Sequence, residues 1–184
     1  MDVALDAPET AILAEDEVSL YLQATTMRVW APVGQTPTVR VHTGRQKTNF
    51  YGCLNLKTGR EIVMEAETMN AEATAAYLRL IADSIPDGPI LLLWDRAPWH
   101  RGLAIREFLA ANPRFEILWF PPGAPDLNPQ EQVWKRTREH ISHNHIQTRL
   151  SQLAAVFAGY LTDSVFKSSF LERYGYLANR PIFN

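Results

Sequence analysis

The sequence predicts an α/β domain in which a mixed central sheet is covered by helices on both faces, a three-layer α/β/α arrangement. Three observations carry this. Short segments with alternating apolar residues fill the first third of the chain, as antiparallel strands do. From Asn70 onward the apolar period lengthens to that of amphipathic helices. Between those helices stand two nearly continuous apolar runs, "PILLLWD" and "FEILWF", the pattern of strands buried on both faces. Hairpins followed by β-α-β-α units give a sheet of mixed direction.

Taken in order, "ILAEDEVSLYL" (12–22) has strand composition, and "MRVWAPVG" (27–34) reads as a second strand broken by Pro32 and Gly34. "TNFYGCLNLKTGREIVMEAE" (48–67) reads as a hairpin turning at "KTG". A helix over 70–85 takes Asn70 as its N-cap, presents Ala73, Ala76, Tyr77, Leu80 and Ile81 on one face, and closes at "PDG". A central strand over 89–95 ends in Asp95; an amphipathic helix covers 102–112, and another central strand 115–120. The proline-rich ramp "FPPGAPDLNP" then leads into a helix over about 129–142, and a further helix covers 146–163. Residues 1–10 read as a flexible N terminus, 11–163 as the domain, and 164–184 as a tail packed on it.

Composition excludes several classes. No apolar run approaches the ~20 residues a membrane span needs. The acidic N terminus lacks the basic flank and apolar stretch of a secretory signal. A single cysteine, Cys53, rules out an internal disulfide and a cysteine-cluster zinc site. The expected location is cytoplasmic. The net charge of −2 is not that of a typical nucleic-acid binder, but it is sorted along the chain. Residues 1–26 carry six acids and no Lys or Arg, while 27–60 carry six basic residues and no acid. Residues 96–149 hold eight basic residues against five acids. Such sorting leaves room for a basic surface beside an acidic pocket, or for strand faces solvated by either sign.

Three acids fall at element ends or in costly places. Asp16 lies inside the first strand between Glu15 and Glu17; Asp95 closes a buried strand; Glu131 sits in the first turn of a helix. Carboxyl ends of strands are where open α/β sheets place ligands. Each acid also has a local reading. Asn128, Pro129 and Glu131 suit a capping box, Asp16 an exposed strand edge, and Asp95 a turn before Pro98. Convergent carboxylates repel unless protonated or neutralised, and a hard divalent cation with oxygen ligands is the usual reason to assemble them. Two such ions about 3.5–4 Å apart would point to phosphoryl transfer.

"LLLWDRAPWH" followed by "FPPGAPDLNPQEQVW" resembles the catalytic core of mariner-type DDE transposases, in particular the bacterial insertion-sequence branch. Thirty-five residues stand between Asp95 and Glu131, which agrees with that family, and "EDEVSLYL" resembles its first-acid strand. The resemblance covers roughly residues 10–145. It implies a ribonuclease-H-like fold and Asp16, Asp95 and Glu131 as catalytic and metal-binding triad, with two Mg²⁺ or Mn²⁺ ions. It further implies cleavage at transposon ends, strand transfer into target DNA, and a homodimer in the active complex. His100 falls on the motif histidine, and Asn128 and Pro129 would orient Glu131. Arg96 stands where the family has Asn, and with Lys135, Arg136 and Arg138 is a candidate for DNA phosphate contact, or a competitor for Asp95. The helix-turn-helix modules that read transposon ends in this family are expected on a separate polypeptide or to be missing from a truncated copy. The alternatives are an inactive remnant that binds DNA or a partner subunit, and a purely hydrolytic nuclease on the same fold. Trp94, Trp119 and Trp134 are expected in the core; Trp99 and Trp30 suit DNA contact or core packing; His140, His143 and His145 lack a fourth zinc ligand.

Overall fold

In the computed structural model, residues 7, 9–38 and 45–173 are described. The expectation of a flexible N terminus falls mostly outside them, and so does the tail beyond residue 173. Five strands form one sheet in the order β3-β2-β1-β4-β5. They are β1 (Ala11–Tyr21), β2 (Lys47–Asn55), β3 (Glu61–Ala66), β4 (Ile90–Trp94) and β5 (Phe115–Trp119). β1 runs antiparallel to β2, and β2 to β3, whereas β1, β4 and β5 are parallel neighbours. The sheet is therefore mixed, with β1 at its centre.

Side-chain alternation along β1 builds the two faces. Ile12, Ala14, Val18 and Leu20 pack against one helical layer; Ala11 and Leu13 pack against the other. The second layer is α1 (Ala71–Ser84) and α2 (Leu103–Ala111), contributing Tyr77, Leu78, Ile81, Ile105 and Phe108. The first is α3 (Gln130–Thr137) and α4 (Leu150–Asp163), contributing Val133, Trp134, Leu153, Phe157 and Leu161. Phe166, together with Leu171 of the short α5 (Phe170–Arg173), joins this same cluster. α1 starts where its cap dictates, the Asn70 side chain accepting the Ala73 N–H at 2.8 Å. Among the described residues no helix is long and apolar enough to cross a membrane.

Four expectations need correction. Residues 27–34 form no strand: Pro32 has no N–H to give a ladder, Gly34 takes a left-handed φ of 83°, and Trp30 is fully exposed. β5 is an edge strand and not a central one, because among the described residues no later segment pairs with its outer side, and Leu118 and Trp119 are partly exposed in consequence. The helix after the ramp is regular only to Thr137 and continues as a π-helical turn over Arg138–Ser142. The next helix starts at Leu150 and not 146, since Arg149 is extended.

Candidate active site

β1 carries three acids in a row, and the pleat divides them. Asp16 is directed to the α3 side, where Trp134 of that helix donates its indole N–H to Oδ2 at 3.1 Å. Glu15 and Glu17 are directed to the α1/α2 side, where both meet His100. The strand-edge reading of Asp16 is thus overturned. β1 is central, and Glu15 is only 1% exposed.

Asp95 follows β4 directly, and its Oδ1 is held twice. The Ala97 N–H donates to it at 2.9 Å, and His100 Nδ1 lies 2.8 Å away. His100 stands on a 3₁₀ turn, Pro98–His100, and is buried. Its Nε2 lies 2.8 Å from Glu17 Oε1, which also accepts the Trp99 indole N–H at 2.7 Å. Burial pushes the imidazole pKa down, but the bonds to Asp95 and Glu17 outweigh it and raise the value to about 10. An imidazolium at this point ties the centre of β1 to the end of β4. The bond from His100 in turn lowers the Asp95 pKa, against burial. Burial, then Glu17, push Glu15 well above the carboxylate range, with His100 opposing. Glu15, Glu17 and His100 each offer a ligand atom within 4.8 Å of the others, but His100 already serves both carboxylates as a cation.

Glu131 enters from the ramp. After Phe120, the chain turns at Gly123 (φ 70°), passes through a 3₁₀ turn at Pro125–Leu127, and meets Pro129 already in helical conformation. Asn128 fixes that entry: its Oδ1 accepts the Gln130 N–H at 3.1 Å while its Nδ2 donates to the Glu15 carbonyl at 2.9 Å. The helix start is thereby fastened to the backbone beside Asp16. The capping box is only half formed. The Asn128 N–H is taken by the Pro125 carbonyl, and Glu131 makes no side-chain hydrogen bond among the described residues.

The result is a cleft of about 370 Å³ lined by Asp16, Asp95 and Glu131 together with Arg96, Asn128 and the ramp prolines. Burial is the main reason the Asp16 pKa rises to about 7, followed by repulsion from Glu131 and Glu17. Arg96 is exposed and makes no ion pair among the described residues; its guanidinium lies 5.9 Å from the centroid of the Trp119 ring. Competition for Asp95 is not what this arrangement contains. Lys135 and Arg136 are exposed on α3, and Arg138 is partly buried.

Of the other aromatic and histidine residues, Trp94 and Trp134 are buried as expected, and Trp99 is engaged with Glu17. His140 stacks on Tyr160 and His143 pairs with Thr25, so these two serve structure. Sequence reasoning missed the role of Glu17, the hydrogen bond from Trp134 to Asp16, and a buried pair, Gln130 with Glu61 (2.6 Å). Helical spacing was the available signal for Trp134, three residues after Glu131 and on the same face.

Comparison with known proteins gives the family and the fold. Residues 11–154 match the family model described as DDE superfamily endonuclease. An uncharacterized 39 kDa protein of insertion element IS630 from Shigella sonnei is 28% identical over 155 residues, covering 82% of this chain and 45% of that protein. The uncharacterized protein y4pE/y4sA of Sinorhizobium fredii is 28% identical over 98 residues, covering 53% of this chain and 70% of that protein. The chain thus spans about half the length of the insertion-element relative. The Mos1 transposase in its paired-end complex with the left transposon end has a similar fold: TM-score 0.67 at 17% identity, over 90% of this chain and 52% of that one. The Mos1 catalytic domain with raltegravir and Mg aligns with a TM-score of 0.63 at 14% identity, over 100% of this chain and 92% of that one. The fold is thus that of the ribonuclease-H-like Mos1 catalytic domain.

Proposed function

This chain belongs to the DDE superfamily endonucleases, and from that membership we propose that it is the catalytic domain of a DNA transposase, cleaving phosphodiesters at transposon ends and joining them to target DNA. The observation that carries the reading is the convergence of Asp16, Asp95 and Glu131 on one cleft, with Asp16 raised to about 7 by burial and by its neighbours. An all-oxygen donor set under mutual repulsion fits a hard divalent cation such as Mg²⁺ or Mn²⁺. In this proposal Asp16 would be the ligand common to two such ions, with Asp95 and Glu131 each holding one. When bound, such ions activate an attacking water or 3′-hydroxyl and stabilise the leaving oxygen.

The protein's own contribution is orientation. His100 and the Ala97 N–H occupy Oδ1 of Asp95, leaving Oδ2 as the oxygen available to the cleft. Trp134 fixes one oxygen of Asp16, and Asn128 sets where Glu131 enters. Ligands held this way keep their geometry when DNA arrives. Arg96, Lys135, Arg136 and Arg138 supply phosphate contacts that position double-stranded DNA without reading sequence. Helix-turn-helix modules reading transposon ends and a second copy of the chain complete the active complex. Arg96 lies over Trp119 and not on Asp95, which favours a working site over a disabled remnant.

The test is nicking of supercoiled plasmid by the purified protein in Mn²⁺. Nicking should vanish with EDTA and fall to background in Asp95→Asn and Glu131→Gln. A Glu131→Gln protein that still nicks would remove Glu131 from the site. Wild-type protein that binds plasmid in Mn²⁺ without nicking it would overturn the catalytic reading.

A further inference from the structure

Trp119 ends the edge strand β5, and its surroundings are unlike those of a core residue. The indole is 39% exposed, yet it is braced from behind, stacked on buried Trp94 with centroids 5.4 Å apart and planes 11° apart. Trp94 in turn stacks on His100 at 4.3 Å. Arg96 lies over the Trp119 ring, its guanidinium 5.9 Å from the centroid and exposed, so an incoming base shares the Trp119 face with this arginine. Between this strand end and α2 runs a groove of about 460 Å³, whose lining includes Trp119, Trp94, Arg96, Arg101, Ile105 and Arg106, and in which no lining residue is acidic. All three arginines are exposed, and none makes an ion pair among the described residues. The groove shares Arg96 with the catalytic cleft, so the two openings adjoin at the carboxyl ends of β4 and β5.

Each feature narrows the ligand. A large exposed aromatic on an edge strand invites aggregation unless something covers it. Three guanidinium groups with no counter-charge exclude a cationic ligand and call for an anion. A flat ring braced on a second ring offers its outer face to another flat ring, with arginine adding cation–π attraction. In a DNA substrate, the unit that is both anionic and carries a flat ring is the nucleotide. In a duplex the base faces are stacked on one another, so the nucleotide must be unpaired. We infer that this groove is a nucleotide subsite: an unpaired base of the strand entering the catalytic cleft stacks on Trp119, and its flanking phosphates meet Arg101 and Arg106. Stacking of this kind is tolerant of sequence, so the subsite sets where the strand lies and not which base it carries. The inference rests on the proposal that the chain acts on DNA.

The experiment compares two labelled duplexes of the same sequence without divalent metal, one blunt and one with a short single-stranded extension carrying 2-aminopurine. Fluorescence anisotropy gives affinity, and 2-aminopurine emission reports stacking. Wild-type protein should bind the extended duplex more tightly and quench the probe. Trp119→Ala should weaken binding of the extended duplex by about tenfold and abolish quenching, with binding of the blunt duplex changed by less than about twofold. Trp119→Phe should retain most of both signals. Arg106→Ala, on the exposed face of α2, should weaken the extended duplex without abolishing quenching. Equal binding of both duplexes by the wild type, or equal losses on both in Trp119→Ala, would overturn the subsite while leaving plasmid nicking intact. A protein that neither binds nor nicks DNA would overturn the functional reading and the subsite with it.

Discussion

Asp16 is half-ionised near neutral pH, held there by burial first and by Glu131 next. The sign of its effect on stability follows from its position above the ordinary value of 3.8. Without a cation, its contribution is fully present below pH 3.8 and is lost as pH rises through about 7, when a second negative charge is forced beside Glu131. A divalent cation reverses the preference, because it favours the charged form and competes with the proton. Thermal melting with and without Mg²⁺ should therefore show a larger rise in Tm at about pH 8 than at about pH 5. Equal rises at both would mean that Asp16 is not a ligand. That Asp16, Asp95 and Glu131 could converge on one cleft was legible, because Asp95 closes a strand and Glu131 opens a helix. Which way Asp16 faces was less so. Three acids in a row look like a solvated edge until β1 is known to be central, and that depends on strands tens of residues away.

At the scale of elements, the connection between β1 and β4 rests on one imidazole. His100 and Glu17 are both almost wholly buried as side chains, and Glu15 lies beside them at 3.8 Å. Removing the cation strands the Glu17 carboxylate in a dry interior, which costs about 3–5 kcal/mol when a buried pair is broken from one side. His100→Ala should lose stability of that order in urea unfolding near neutral pH. Since the folded-state value of His100 is about 10, raised from 6.5, its contribution is fully present below pH 6.5 and is lost as pH rises through about 10. The gap between wild type and variant should accordingly narrow above about pH 10; a constant gap would assign the loss to packing against Trp94 alone. The sequence placed His100 at the right point but offered no sign of Glu17, because a two-residue period along β1 does not say what waits on the far face. The same blindness put β5 in the middle of the sheet. An apolar run reveals a strand; only strand order reveals an edge, and here the edge left Trp119 partly exposed.

The site exists only where two elements meet, since Asp16 comes from the central strand and Glu131 from a helix, later in the chain, that packs on one face of the sheet. Gly52 is a point of close approach between the sheet and that helix. It pairs with Asp16 across β1 and β2, and a Cβ there would stand 2.3 Å from the Trp134 ring, 2.5 Å from Gln130 Nε2 and 2.6 Å from Glu61 Oε1. The absent side chain lets α3 settle low enough for Trp134 to reach Asp16 and for Gln130 to bond Glu61, whose pKa burial holds well above the carboxylate range. A methyl group at this position cannot be absorbed by one flexible side-chain tip, because three groups on two elements meet it at once. Gly52→Ala should therefore lift α3 and cost about 1–3 kcal/mol, the usual penalty for overpacking a filled core. The shift would appear as a lower urea midpoint with an unchanged m-value. Because Glu131 rides on the lifted helix, the Tm rise given by Mg²⁺ should shrink in the same variant. A Gly52→Ala protein with lowered stability but a full response to Mg²⁺ would show that seating of α3 and placement of Glu131 are independent. The docking account would then fail.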